Sequence, residues 1–523
     1  MKTTRTSIFN NVLGPVMRGP SSSHTAAALR IGNIARQLLG EDPSEALFVF
    51  DPNGSLATTY VGQGSAMGLA GGLSGLSADD PSLSDWKSVC KESGLSINFK
   101  IEKYGAEHPN TYKGFVNGIK GASVSFTAIS TGGGAILFLE VNKVPVSFDG
   151  SGYEIIAEYR NLEGRELILN SLKTKADNTI VIRESGEFIH LHSTGRLTGA
   201  PGLASLKKSN DIKWICSCIP VMPIILNHDP EVAFKDIHEF AVIAAVKDRK
   251  LSEFAVEYEA AVARIKTNEI LKLTNEYLNV IQESILNGLK GTEWSGRILP
   301  SQSILIGKAA KRGELIPDNL TNEIISSVSA IMETKSSMGV ILAAPTAGSC
   351  GTIGGVLIPV GRLMKKDDES LSRALLAAGL VGVFIADITG FAAEEGGCQY
   401  ECGAASGMAA AALVELAGGN ASIALNAASL ALQNIIGMVC DPVADRVEVP
   451  CLGRNIMAAI NALASANMAL AGFDPVIPPG EVIGAMKSVG GSMPHELRCT
   501  GKGGLSVTPS AKKIVKRLKD PSV

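Results

Sequence analysis

SGYEIIAEYRNLEGRELILNSLKT, residues 151–174, is the stretch on which the fold turns, because the pattern of the chain changes there. YEIIAEY (153–159) reads as a strand and GRELILNSLKT (164–174) as a helix. TIVIRE (179–184) and FIHLHS (188–193) read as strands, PGLASLKKS (201–209) as a helix, and KWICSCIPVMPII (213–225) as a last strand. The resulting βαββαβ order is that of a small ferredoxin-like module.

Working outward from this module, the two flanks differ in kind. Upstream, to about residue 150, the apolar runs ALFVF (46–50), ASVSFTAIS (122–130) and AILFLEVN (135–142) alternate with Gly-rich turns and short helical segments, the pattern of an α+β domain. Downstream of Asn227-His228-Asp229-Pro230 the chain turns almost wholly helical. Residues 231–289 are rich in Ala, Glu, Lys and Leu at helical spacing, and the remainder is an Ala/Gly-rich bundle whose small residues let helices approach closely. No repeat of 20–50 residues is visible. The expected fold class is multidomain α+β: an α+β domain over 1–150, an ACT-like module over 151–226, and an all-α domain over 227–523 that carries the chemistry.

Composition narrows the partners. Lys and Arg number 48 against 51 Asp and Glu, for a net charge of −3, and 45% of the 523 residues are hydrophobic, enough for a large core. The basic end around Lys512, Lys513, Lys516 and Arg517 reads as a solvated helix face, so no nucleic-acid partner is expected. The opening MKTTRTSIFNNVLGPVMRG lacks the apolar core of a secretory signal. The uncharged stretch 418–440 is broken by Asn420, Ser422, Asn426, Gln433 and Asn434 and reads as helix buried in protein, so no membrane is expected either. The expected compartment is the cytoplasm, where thiols stay reduced.

Three of the nine cysteines stand in unusual surroundings: Cys398 in EEGGCQYECG, and Cys440 and Cys451 framing CDPVADRVEVPC. Pro442 and Pro450 keep that frame from being a helix, which lets both sulfurs turn toward one point. Cys398 follows Gly396-Gly397 and precedes an Ala-rich run, so it is expected at a helix N-terminus, where backbone N–H groups favour a thiolate. Three thiolates so placed can hold three irons of a cubane and leave the fourth without a protein ligand, as a Lewis acid. The alternative is that they are small buried hydrophobes, the usual fate of a free cysteine. Zinc is disfavoured, because a structural site brings a second C-x-x-C or C-x-x-H pair and none is present.

Polar turns supply a second group of candidates. GPSSSHT (19–25) sets Ser21, Ser22, Ser23, His24 and Thr25 ahead of an apolar helical run. One of these serines could simply cap that helix; alternatively the hydroxyls and free N–H groups hold a carboxylate. HPNT (108–111), with His108 and Asn110, is another polar turn, and STGGG (130–134), with Gly132 and Gly133, offers a backbone nest. APTAGSCG (344–351) adds Thr346 and Ser349.

Taken together, GPSSSHT, HPNT, S-x-GGG, METKSSMG-x4-APTAGSCG, GGCQ-x-E, CDPVA-x-x-VEVPC, LR-x-TG-x-GGL and TPS resemble the iron-sulfur-dependent L-serine dehydratases, with the β and α parts of that family fused in one chain. The resemblance covers nearly the whole length and is strongest from about 330 to 510. It implies that Cys398, Cys440 and Cys451 ligate a 4Fe-4S cluster, and that the Ser-His-Thr loop, the HPNT turn and the GGG nest line a substrate site. It implies conversion of L-serine to pyruvate and ammonia without pyridoxal phosphate, so no Schiff-base lysine is needed. The partners implied are a small amino-acid substrate and a second copy of the chain.

Departures from the family pattern bear on the base. Relatives carry G-H-x-T-D where this chain reads GQGSA, so Gln63 stands for a His and Ala66 for an Asp. That leaves His24 or His108 to take the α-proton. Relatives read E-V-N where this chain has Glu333, Thr334 and Lys335; Lys335 could bind a carboxylate or act as base, or could be a solvent-exposed lysine. The chain ends KDPSV, so no tail cysteine is expected on the fourth iron, and Cys499 is a poor substitute. Cys350 and Cys402 read as packing. The alternatives kept are a dehydratase of threonine or another small β-hydroxy acid, and a cluster-bearing regulatory paralogue without catalysis.

Overall fold

The computed structural model describes residues 5–170, 180–195, 203–227 and 229–519. The N-terminal part is a six-stranded sheet in the order β2-β1-β3-β4-β5-β6, from β1 (Pro43–Phe50), β2 (Ser96–Ile101), β3 (Thr111–Gly118), β4 (Ser123–Gly132), β5 (Ala135–Val141) and β6 (Val144–Phe148). Only β1 and β2 run parallel; the other neighbours are antiparallel. Along β4 burial alternates, with Val124, Phe126, Ala128 and Ser130 turned inward. Helix α1 (Ala27–Leu39) packs Ile31, Ile34 and Leu38 into the same core as Phe48, Phe126 and Phe138. Helix α2 (Ser65–Leu73) lies against α1 at a distance only glycine permits. A Cβ on Gly68 would stand 2.2 Å from the Thr25 carbonyl, and one on Gly72 would stand 2.1 Å from that of Leu29. This close crossing fixes the start of α1, and with it the stretch 19–25.

The middle module contains β7 (Tyr153–Tyr159), α3 (Leu162–Asn170), β8 (Ile180–Ser185), β9 (Phe188–Ser193), the single turn α4 (Leu203–Leu206) and β10 (Ile212–Cys218). Its sheet is antiparallel throughout, in the order β10-β7-β9-β8. The ends of the expected first helix beyond Asn170, Thr179 of the second strand, and Pro201 and Gly202 lie outside the described residues, as does His228. The last strand, expected to run to 225, stops at Cys218, because Pro220 has no N–H for the ladder. One face of the sheet buries Ile155, Ala157, Ile189, Leu191 and Ile215 with Ile168 of α3. The other face leans on the N-terminal part through the His190 and Phe148 rings, 5.6 Å apart. On that face Glu154 faces His190 Nε2 at 3.0 Å and His192 Nδ1 at 2.7 Å.

The main helices of the helical part include α5 (Ile237–Val246), α6 (Leu251–Ala263), α7 (Thr267–Leu289), α8 (Asn319–Ser336), α9 (Cys350–Leu363), α10 (Asp368–Ile388), α11 (Cys402–Ala417), α12 (Ala421–Gln433), α13 (Cys451–Leu470) and α14 (Pro479–Ser492). Helix α11 is the hub: Ala404, Ala405, Ala409, Ala410, Ala411 and Ala412 are buried, and α10, α12 and α13 pack on it. By length and composition α10 could cross a membrane, but 78% of its apolar window is buried inside the molecule. Residues 418–440 contain the expected buried helix as α12.

Two ties lock the parts together. Ile8, Phe9, Val12 and Leu13 are wholly buried in the helical core. Val16–Met17 pairs antiparallel with Ile341–Leu342. The second tie lays the Ser-His stretch directly against the 344–351 turn.

Candidate active site

Residues Ser22–Ala26 form one wide helical turn leading into α1. Ser21 precedes that turn in extended backbone, yet no serine side chain caps it. The hydroxyls are used elsewhere. Ser22 Oγ accepts from the Ala347 N–H at 3.0 Å, across the seam, and Thr25 Oγ1 donates to the Gln63 carbonyl at 3.0 Å. Ser21 Oγ and Ser23 Oγ stand 3.1 and 3.2 Å from His24 Nδ1. All five residues are buried.

His24 has a definite tautomer. Thr59 Oγ1 donates to the Ser55 carbonyl at 2.7 Å, so it accepts from His24 Nε2 at 2.9 Å, and the imidazole proton is on Nε2. Nδ1 is left as the acceptor, 3.6 Å from Glu394 Oε1. Burial lowers the His24 pKa, and the Glu394 charge opposes this. Ser23 also donates to Glu394 Oε1 at 3.4 Å. The other carboxylate oxygen, Glu394 Oε2, is buried with no hydrogen-bond partner among the described residues.

Two more polar side chains share that condition. Asn110 is fully buried with both Nδ2 and Oδ1 unpartnered, and so is the inward Ser130 hydroxyl on β4, next to it through the Ser130 N–H to Asn110 carbonyl bond at 3.1 Å. Each such deficit costs on the order of 1–3 kcal/mol, so three in one neighbourhood mark a place built for a ligand. His108 is committed otherwise: Nδ1 accepts from the Asn110 N–H at 3.1 Å and Nε2 meets Glu395 Oε1 at 3.1 Å. Gly132 and Gly133, at φ +99° and +61°, serve as a joint: Cβ atoms there would stand 2.6 Å from the Ala392 N and 3.0 Å from the Pro345 carbonyl. Gly132 pairs with Phe391, which brings Glu394 up to the sheet.

The helical side contributes sulfur. All nine cysteines are free and buried. Cys398 lies in a short turn, Cys398–Tyr400, ahead of α11, and Cys451 is the first residue of α13. Cys440 donates its N–H to the Leu497 carbonyl and accepts the Cys499 N–H, both at 2.8 Å. Cys398, Cys402, Cys440 and Cys499 pack in one small cluster with Ala393, Ile435 and Ala458. The thiols tune one another: the neighbouring Cys402 thiol and the Arg454 guanidinium bring Cys398 down to about 7, while the Cys499 thiol, with burial, raises Cys440 well above the ordinary thiol range. Burial raises Cys451 as well. Among the described residues no three His, Cys, Asp or Glu side chains stand ready around one point as metal ligands. The donor set nonetheless fits an iron-sulfur cluster in kind: soft sulfur ligands in a dry site, with Arg454 beside them to balance negative charge.

Four further groups complete the site, and they differ in how visible they were. Lys335 is fully buried, which removes the solvent-exposed reading; its ammonium donates to the Val447 carbonyl. Its neighbour Glu333 is structural, accepting the Gln302 and Ser303 N–H groups at 2.6 and 2.8 Å. Thr346 Oγ1 donates to Glu401 Oε1 at 2.7 Å, and burial, helped by the charges of Cys398 and Glu394, pushes Glu401 up to about 8. Gln63 Nε2 reaches Cys499 Sγ at 3.4 Å, so the loop side and the sulfur side touch there. Glu394, Glu401 and Thr59 were not singled out from sequence. Glu401 was signalled only as the last letter of GGCQ-x-E, and nothing in a paired Glu394-Glu395 marks the first as the buried one.

The arrangement can therefore hold a small polar molecule against a carboxylate and a bed of thiols. Residues 246–506 match the family described as serine dehydratase alpha chain. The chain is 36% identical over 285 residues to the probable L-serine dehydratase, alpha chain, of Bacillus subtilis (strain 168), covering 54% of this chain and 95% of that one. It is 47% identical over 188 residues to the probable L-serine dehydratase, alpha chain, of Latilactobacillus sakei, covering 36% and 90%. It is 36% identical over 266 residues to the L-serine dehydratase, alpha chain, of Peptoniphilus asaccharolyticus, covering 51% and 91%. With Cys398, Cys440, Cys451, the Thr346 turn and Glu401 all inside the matched region, the chain belongs to the serine dehydratase alpha-chain family.

Proposed function

We propose that this protein is an L-serine dehydratase, a lyase that converts L-serine to pyruvate and ammonia. The observation that carries this reading is that relatives named for this reaction align with the chain over nine-tenths or more of their own length. Cys398, Cys440 and Cys451 would hold a 4Fe-4S cluster, which when bound supplies a Lewis acid for the departing β-hydroxyl. The rest falls to the side chains already described. The unsatisfied Asn110 amide and Ser130 hydroxyl bind the substrate, with Ser21, Ser23 and Thr346 shaping the polar wall. Ser22 and Thr25 hold that wall in place across the seam and against α2. His24 and Glu394 stand side by side on that wall, 3.6 Å apart, and the burial of these groups excludes water until the 2-aminoacrylate product leaves to hydrolyse. Lys335, buried near Cys451 and Glu401, balances charge on the sulfur side.

The same reading assigns three units to the chain, 1–150, 151–226 and 227–523. The middle one is an ACT-type regulatory module, supported by its βαββαβ order and antiparallel sheet. A cytoplasmic location is supported by nine free thiols. A homodimer could pair through the edge strand β8, where Ile182 is exposed.

The test is an anaerobic assay of protein reconstituted with iron and sulfide, offered L-serine, D-serine and L-threonine separately. Pyruvate from L-serine, at a kcat/KM well above that for either other substrate, is the expected result. Preference for L-threonine would move the assignment to another β-hydroxy acid. A fully loaded protein inert to all three would leave the regulatory paralogue.

A further inference from the structure

Dehydration needs a base, and the obvious candidates are occupied. The His24 ring is fully enclosed, with Nε2 donating to Thr59 and Nδ1 accepting from Ser21 Oγ at 3.1 Å. His108 is spent between Glu395 and the Asn110 N–H. Lys335 donates to the Val447 carbonyl. Gln63 carries an amide, which accepts no proton at neutral pH.

What remains is Glu394. Its Oε1 accepts from Ser23 Oγ at 3.4 Å, which pins the carboxylate beside the His24 ring. Its Oε2 is buried and meets no donor among the described residues. The residue also stands where the two halves of the site join: Phe391, three positions earlier, pairs with Gly132, and Cys398 follows four positions later. The other unsatisfied groups, on Asn110 and Ser130, belong to the same sheet end as Gly132.

We propose that Glu394 Oε2 is the atom that takes the α-proton, with Ser23 acting as the positioning residue for its carboxylate. This rests on the L-serine dehydratase reading. In the step, the Cα–H bond breaks and the proton goes to Oε2; its electron pair becomes the Cα–Cβ double bond as the Cβ–O bond breaks and the oxygen leaves as hydroxide. Return of the proton from Oε2 to that hydroxide gives water and 2-aminoacrylate and restores the carboxylate. Water then hydrolyses the imine tautomer to pyruvate and ammonia.

Glu394→Gln keeps the shape but cannot take the proton. Its kcat should fall by about 10²- to 10⁴-fold with little change in KM, while iron content and the unfolding temperature stay at wild-type values. Glu394→Asp should recover part of the rate. With α-deuterated L-serine the isotope effect on kcat should be larger in Glu394→Asp than in wild type, because proton removal has become slower; a purely structural role would not move it. His24→Gln should cost less than Glu394→Gln. Glu394→Gln within a few-fold of wild type, or a larger loss in His24→Gln than in Glu394→Gln, would overturn the assignment of Glu394 while leaving the dehydratase intact. A wild type that releases no pyruvate from L-serine overturns both. Should Glu394→Gln fail to fold, the Glu394→Asp rate and isotope effect decide, and an unchanged isotope effect rejects the proposal.

Discussion

The two faces of the site are made in opposite ways. On the sheet side the loop 19–25 is locked by bonds to other elements, Ser22 to Ala347, Thr25 to Gln63 and His24 to Thr59, while Asn110, Ser130 and Glu394 keep unsatisfied atoms. On the helical side Cys398, Cys402, Cys440 and Cys499 pack together as a buried bed of sulfur, with Arg454 acting on Cys398. The difference is one of preorganisation. The substrate face is a preorganised polar wall with open hydrogen-bonding valences, whereas the sulfur face is a buried bed of soft donors suited in kind to a cluster.

The largest effects should come from the sulfur face. Cys398→Ala, Cys440→Ala and Cys451→Ala should each abolish turnover and the absorbance near ~400 nm expected of thiolate-ligated iron. Cys90→Ala and Cys216→Ala should retain both; equal loss in all five would erase the distinction between ligand and packing cysteines. Cys402→Ala and Cys499→Ala remove neighbouring thiols outside the proposed ligand set and should keep the absorbance.

Next in size is the open valence of the substrate face. Asn110→Ala should lower kcat/KM for L-serine by roughly ten- to a hundredfold, the worth of one hydrogen bond to a charged group, with the cluster spectrum unchanged. A lost spectrum in this variant would mean that the two faces are not separable. Ser22→Ala tests the lock instead. It leaves the Ala347 N–H unsatisfied in a buried seam and should lower stability by about 1–3 kcal/mol in chemical denaturation, with a smaller change in KM. The smallest effect is expected from Gln63→His, because Glu394 already provides an acceptor; a large gain in serine turnover would show that the missing histidine was limiting.

Much of this comparison was written in local sequence, and the remainder was not. The strands of the sheet are legible because burial alternates with period two, as along Val124, Phe126 and Ala128. The module order is legible for the same reason, and its last strand was read too long only because apolar residues continue past Pro220. The cysteines announce themselves by their glycine and proline neighbours. The serine caps did not form, since a wide turn pressed onto Gly68 of α2 diverts those hydroxyls to His24 and Ala347. Glu394 and Lys335 were obscure because a charged residue in a loop or helix carries no local sign of burial. Their environment is supplied by segments more than a hundred residues away, Ser23 and His24 for one and Val447 for the other.

The central claim is that an iron-loaded sulfur face and a preorganised carboxylate face together dehydrate L-serine. It is tested most directly by pyruvate release from L-serine before and after anaerobic loading of one preparation with iron and sulfide. The account predicts no release before loading, turnover that rises in proportion to bound iron, and loss of that turnover when a chelator removes it. Turnover by iron-free protein, or none from protein carrying its full complement of iron, would contradict it.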